Sequence, residues 1–188
     1  MKKITTSEVK QKIIETASDL FYKNGYNSTG INEIISKSAI AKATLYHHFK
    51  SKEDICLAYL QFKNQTFLND INLYCNSKEK GKNQVLAIFD FLQLFFKEND
   101  FNGCWCIKTI SEIPKENIKV REEIQSQKNQ FIAFISKLVS DNLKRKKETL
   151  SIARQIYLLY ESAVSESHLH QSDWPIKETK QLCSQIIR

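Results

Sequence analysis

Glycine and proline are scarce in this chain, 4 and 2 of 188 residues, too few for the many tight hairpins of a β-sandwich or barrel. The same scarcity leaves no glycine-rich phosphate loop. Neither a G-x-S-x-G elbow nor an H-E-x-x-H helix is present, so no catalytic residue, cofactor or metal ligand is assigned and an enzyme is not expected. No stretch approaches the ~18 consecutive apolar residues of a membrane span. The five cysteines, Cys56, Cys75, Cys104, Cys106 and Cys183, are odd in number and follow no framework spacing. With no apolar leader after Met1-Lys2-Lys3, the expectation is a cytoplasmic protein with reduced thiols and no membrane contact.

Charge is abundant, and it is unevenly placed. The chain carries a net charge of +7, and residues 1–52 hold nine Lys against four acidic residues, a local excess of +5. The remaining 136 residues are left with only +2. A basic excess confined to one end points to a polyanionic partner for that end. A length of 188 residues suits one all-helical subunit with a small appended module.

Periodicity gives the helices. Val9, Ile13, Ala17, Leu20 and Phe21 recur at helical spacing behind Thr5-Thr6-Ser7-Glu8, which has capping-box form, and Asn24-Gly25 supplies the stop. That predicts a helix over about 6–24. Ser28-Thr29-Gly30 opens a second, two-turn helix with Ile31, Ile34 and Ile35 as its buried stripe, and a third spans Lys42 to Phe49. Only Ala39-Ile40-Ala41 separates these two, which makes them a helix-turn-helix, whose second helix enters the DNA major groove. On that helix Leu45 and Phe49 are four apart and face the core, against Ile34 and Leu20. Lys42, Thr44, Tyr46 and His47 lie on the other face, where they reach phosphates and base edges. Ser51-Lys52-Glu53-Asp54 caps the next helix and sets Lys52 beside the phosphate backbone.

Ala17, Leu20-Phe21, Gly25-Tyr26, Thr29-Gly30-Ile31, Ile34, Leu45-Tyr46-His47-His48-Phe49 and Ser51-Lys52-Glu53 together resemble the TetR family of bacterial transcriptional regulators over about residues 5–60. The departures are Ala39 where the turn usually has Gly, Ile35 where a small residue is usual, and Ala41 in place of a hydroxyl cap. The resemblance implies an all-α fold: an N-terminal three-helix helix-turn-helix DNA-binding domain (1–52), then a helical effector-binding and dimerisation domain (53–188). It also implies a homodimer on a double-stranded palindromic DNA operator, acting as a repressor released by a small molecule or by an oxidant. The DNA contacts it implies are Thr29, Gly30, Lys42, Ala43, Thr44, Tyr46, His47 and Lys52, and the ligand or sensor residues Phe62, Phe95, Cys104, Trp105, Tyr157 and Tyr160.

Three apolar stripes support a helical core: Val85, Ile88-Phe89, Leu92 and Phe95-Phe96; Ile124, Phe131, Ile135 and Leu138-Val139; Ile152, Ile156, Leu159-Tyr160 and Ala163. By the resemblance, helices over about 116–143 and 148–169 pair with their symmetry mates. Asp173-Trp174-Pro175 is expected to break the chain before a last helix at 176–187. Gly103-Cys104, with Glu112 farther on, is similar to a TetR subgroup in which this cysteine is in some members a redox or electrophile sensor. A thiol at a helix N-terminus gains thiolate character, while the bland reading makes Cys104 and Cys106 small buried hydrophobes. Cys104-x-Cys106 and His168-x-His170 lack the usual structural zinc spacing. Lys144-Arg145-Lys146-Lys147 reads as a solvated loop. A helical protein-binding adaptor without DNA binding is the alternative, and it leaves the basic recognition positions unexplained.

Overall fold

A computed structural model describes residues 6–98, 101–144 and 148–187. Among the described residues there are nine α-helices and no strand: α1 Thr6–Asn24, α2 Ile31–Ser38, α3 Lys42–His48, α4 Lys52–Asn76, α5 Lys82–Phe96, α6 Trp105–Glu112, α7 Ile118–Asn142, α8 Thr149–His170 and α9 Trp174–Ile186. No described helix is long and apolar enough to cross a membrane. Thr5 of the N-terminal capping sequence and Arg145–Lys147 of the basic loop lie outside the described residues.

The all-helical expectation holds, and each N-terminal helix ends for a local reason. Gly25, at φ 91°, terminates α1 by donating its N–H to the Phe21 carbonyl at 3.0 Å, a left-handed conformation that glycine adopts without a Cβ clash. The α2–α3 turn is the expected tripeptide, and its first residue, Ala39, is left-handed at φ 52° and ψ 43°. Ser51 Oγ accepts the Asp54 N–H at 3.1 Å, and Asp54 accepts the Lys50 N–H at 3.1 Å, so the predicted cap at the start of α4 is formed. The α9 start differs from expectation. Trp174 and Pro175 are its first residues rather than a break before it, because a proline in the first helical turn lacks only an N–H that would have no intrahelical acceptor.

Two compact units divide the chain, Met1–Gln65 with Trp105–Gln125, and Thr66–Cys104 with Ser126–Arg188. The sequence boundary after residue 52 falls at the first residue of α4, Lys52–Asn76, and this helix continues past Gln65 into the second unit. The first unit also takes in α6, a return of the chain that local sequence does not announce.

In the first unit Ile13, Ala17, Leu20 and Phe21 of α1 are buried with Ile34 of α2, Leu45 of α3 and Phe49 behind it. Of the isoleucine stripe on α2 only Ile34 is fully buried; Ile31 and Ile35 are half-buried. In the second unit α5, α7, α8 and α9 close around Val85, Ile88, Phe89, Leu92, Phe131, Ile135, Ile152 and Ile156, the three stripes read from the sequence.

Ala39 tests how much strain the helix-turn-helix carries. A left-handed alanine costs about 1–2 kcal/mol that glycine avoids, partly offset by glycine's freedom in the unfolded chain. Ala39→Gly is expected to raise stability by about 1 kcal/mol, read as a higher urea midpoint with an unchanged slope.

Candidate functional site

The third helix is short, seven residues, and its two sides differ sharply. Leu45 is 1% exposed and Phe49, just past its end, 4%. Lys42, Ala43, Tyr46 and His47 are exposed and Thr44 half-exposed, with Tyr46 at 42% despite its size. One helix thus presents a cation, a phenol, an imidazole and a hydroxyl on a face that the chain itself leaves uncovered. The helix begins at Ala41 without a side-chain cap, and its first residue is a lysine, a cation at the positive end of the helix dipole. Neither choice favours the helix.

Around α3 the other proposed contacts are placed unequally. Gly30 is exposed at the N-terminus of α2, at an ordinary φ of −89°, and a Cβ added there would meet nothing within 4 Å. The chain's own packing does not ask for glycine at that position. Thr29 is a correction: it is fully buried, and its hydroxyl donates to the Gly25 carbonyl at 2.8 Å. Its side chain fixes the entry to α2 and has no surface for DNA. Lys52 is half-buried, with its ammonium 4.3 Å from the centre of the Tyr26 ring. Burial pulls that ammonium below the usual lysine range, opposed by Cys56 and Glu112.

Of the residues named for sensing, Phe62 and Trp105 belong to the first unit and Phe95, Cys104, Tyr157 and Tyr160 to the second. Cys104 directly precedes α6 and is the one half-exposed cysteine of the five, while Cys106 is buried. Lys128 Nζ lies 3.1 Å from Cys104 Sγ and 2.6 Å from Glu161 Oε1. Its ammonium is also 6.0 Å from the Tyr157 ring centre. Tyr160 is buried against Phe131, 4.9 Å between ring centres, and Phe95 packs edge-on to Phe101 at 5.5 Å. Burial, with Cys104 adding to it, pushes the Glu161 carboxyl up to about 7 against the opposing pull of Lys128.

Sequence reasoning missed Lys128 and Glu161. The available signal was a charge inside an apolar stripe, since Lys128 falls at the helical spacing between Ile124 and Phe131. Burial pushes the thiols of Cys56, Cys75 and Cys183 up to about 12, which leaves them poor nucleophiles. Among the described residues no group of three or more His, Cys, Asp or Glu is arranged to hold a metal ion.

Residues 13–59, which hold α1 from Ile13 onward, α2, α3 and the first turns of α4, match the family model described as bacterial regulatory proteins, tetR family. The chain is 28% identical over 148 residues to the transcriptional regulator QacR of Staphylococcus aureus, covering 57% of this chain and 79% of that one. It is 21% identical over 194 residues to the transcriptional repressor NemR of Escherichia coli, covering 100% and 98%. The crystal structure of the reduced form of E. coli NemR superimposes with a TM-score of 0.86 at 19% identity, over 96% of this chain and 97% of that one. A TetR-family regulator from Streptomyces coelicolor gives a TM-score of 0.87 at 22% identity, over 98% and 90%. The fold is therefore shared along nearly the whole chain, and the family-model match falls on the N-terminal helices. Residues 13–59 thus carry the match to the tetR family of bacterial regulatory proteins, and the relatives similar to this chain are described as regulators of transcription.

Proposed function

We propose that this protein is a homodimeric, cytoplasmic repressor that occupies a palindromic operator through α3 and leaves it when its helical core receives a signal. The observation that carries the reading is the two-sided α3, with Leu45 and Phe49 buried beneath Lys42, Tyr46 and His47. Lys42 contacts phosphate; Thr44, Tyr46 and His47 reach base edges, and Ala43 allows close approach. Gly30 brings the N-terminus of α2 to the backbone, and Lys52 adds charge from above Tyr26. A lysine that opposes its own helix dipole is accounted for by a phosphate outside the chain. Residues 1–52 are read as the DNA-binding domain and 53–188 as the effector and dimerisation domain.

The dimer places two copies of α3 about 34–36 Å apart, one per major-groove turn. Exposed Leu158 and Leu169 on α8 and Trp174 and Leu182 on α9, each 47–72% accessible, favour α8 and α9 as the helices that meet the second copy, rather than the α7–α8 pairing expected from the sequence. The signal has two candidate forms, a small molecule among the core aromatics or modification of Cys104. The ammonium of Lys128, 3.1 Å from the sulfur, favours Cys104, because a neighbouring cation stabilises the thiolate, the reactive form. Phe95, Tyr157 and Tyr160 pack in the same core cluster as Cys104 and remain the candidate walls for a small molecule. Either signal acts only through a different affinity for the operator-competent and released conformers. NemR, described as a repressor, supports the direction of control.

On duplexes selected from a random pool by the wild-type protein, Lys42→Ala is expected to weaken binding and lower the slope of log K against log salt by about 1. Tyr46→Ala should cost about 1–3 kcal/mol of binding with the slope unchanged and the fold intact. Retained affinity in both variants refutes the assigned face. Cys104→Ser is expected to bind the same duplex normally and to keep binding it after diamide treatment that releases the wild type. If it is released like the wild type, the sensor is elsewhere.

A further inference from the structure

The last turns of α6 hold the turn that leads into the helix-turn-helix. Lys108 and Glu112 are one helical turn apart on α6, and both reach back to residues 22–27, all within the first unit. Lys108 Nζ donates to the carbonyls of Tyr22 at 2.7 Å and Lys23 at 3.2 Å, at the C-terminal end of α1. A cation there satisfies carbonyls without an intrahelical partner and complements the negative end of the dipole. Glu112 takes the opposite part: its Oε2 accepts the backbone N–H of Asn27 at 2.7 Å, and its own carbonyl accepts Asn27 Nδ2 at 2.9 Å.

Gly25 makes this approach possible. A Cβ at that position would lie 2.3 Å from Glu112 Oε1, so the residue that terminates α1 also leaves room for the carboxylate. The Gly25 carbonyl then accepts the buried Thr29 hydroxyl, and Thr29 leads directly into Gly30 and α2. A continuous series of short contacts therefore runs from Glu112 through 25–29 to the start of the helix-turn-helix. Glu112 is not on the exposed face of α3, and these hydrogen bonds go to Asn27, not to Cys104, Lys128 or Glu161.

We propose that Glu112 is a positioning residue for DNA binding, whose carboxylate fixes the Gly25–Thr29 turn and so the placement of α2 beneath the recognition helix. This rests on the reading that α3 binds DNA. A role through charge alone has the opposite sign, because removing an acid would ease the approach of phosphates and tighten binding. Glu112→Gln keeps an acceptor oxygen at similar reach; Glu112→Asp is one methylene short; Glu112→Ala has none.

The test measures affinity and salt slope for a duplex selected by the wild type, together with hydrogen exchange at the Asn27 amide. A lost hydrogen bond to a charged group corresponds to roughly tenfold or more. Glu112→Ala is expected to bind roughly tenfold or more weakly with the salt slope unchanged, and its Asn27 amide to exchange faster by a similar factor, while Glu112→Gln stays near wild type in both. If Glu112→Ala does not fold, Glu112→Asp carries the same expectation. Affinity in the Ala or Asp variant that equals or exceeds wild type overturns the proposal, as does Gln behaving like Ala. A wild-type protein that selects no duplex defeats the DNA reading itself, and is told apart because Asn27 exchange then still responds to Glu112.

Discussion

Seven residues do not make a stable helix in water, where isolated helices below about 12–15 residues are marginal. α3 exists because Leu45 and Phe49 are buried against the α1–α2 pair, each such side chain contributing about 1.5–3 kcal/mol relative to exposure. Its exposed side is then free of any duty to the fold. The lysine in its first turn, the missing cap and the left-handed Ala39 before it are all unfavourable locally, and burial on the opposite side offsets them. A recognition helix is in this sense a surface held by an anchor it does not choose.

The support extends beyond the three N-terminal helices. Thr29 is spent on the Gly25 carbonyl, Lys108 and Glu112 bring α6 onto the same turn, and Asn117 Nδ2 donates to Glu53 of α4 at 2.9 Å from just before α7. The compact unit around α3 therefore joins residues as far as 86 positions apart in sequence. Cys104 is covalently next to the first residue of α6, so chemistry at the thiol starts one residue from the helix that holds the α1–α2 turn.

Much of this was legible in the sequence because it is written in local patterns. The stop at Gly25, the tripeptide turn, the cap at Ser51 and the core stripes of α5, α7 and α8 are spacing rules, and the structure follows them. Which face of α3 is exposed followed from helical periodicity alone. Thr29 was misread because a hydroxyl at a helix start looks the same whether it faces solvent or a carbonyl four residues back. Lys128 with Glu161, and Glu112 with Asn27, join residues 33 and 85 positions apart, and no local rule pairs them. Trp174-Pro175 reads as a break from the residue before proline, yet proline also opens helices.

The proposed repressor requires α3 to read DNA as one of a symmetric pair. Methylation interference on a selected duplex measures this directly, since guanine N7 is open only in the major groove. The expected result is two clusters of interfering guanines related by a dyad and centred about one helical turn, 34–36 Å, apart. A single cluster, or no interference in the presence of salt-sensitive binding, would contradict it.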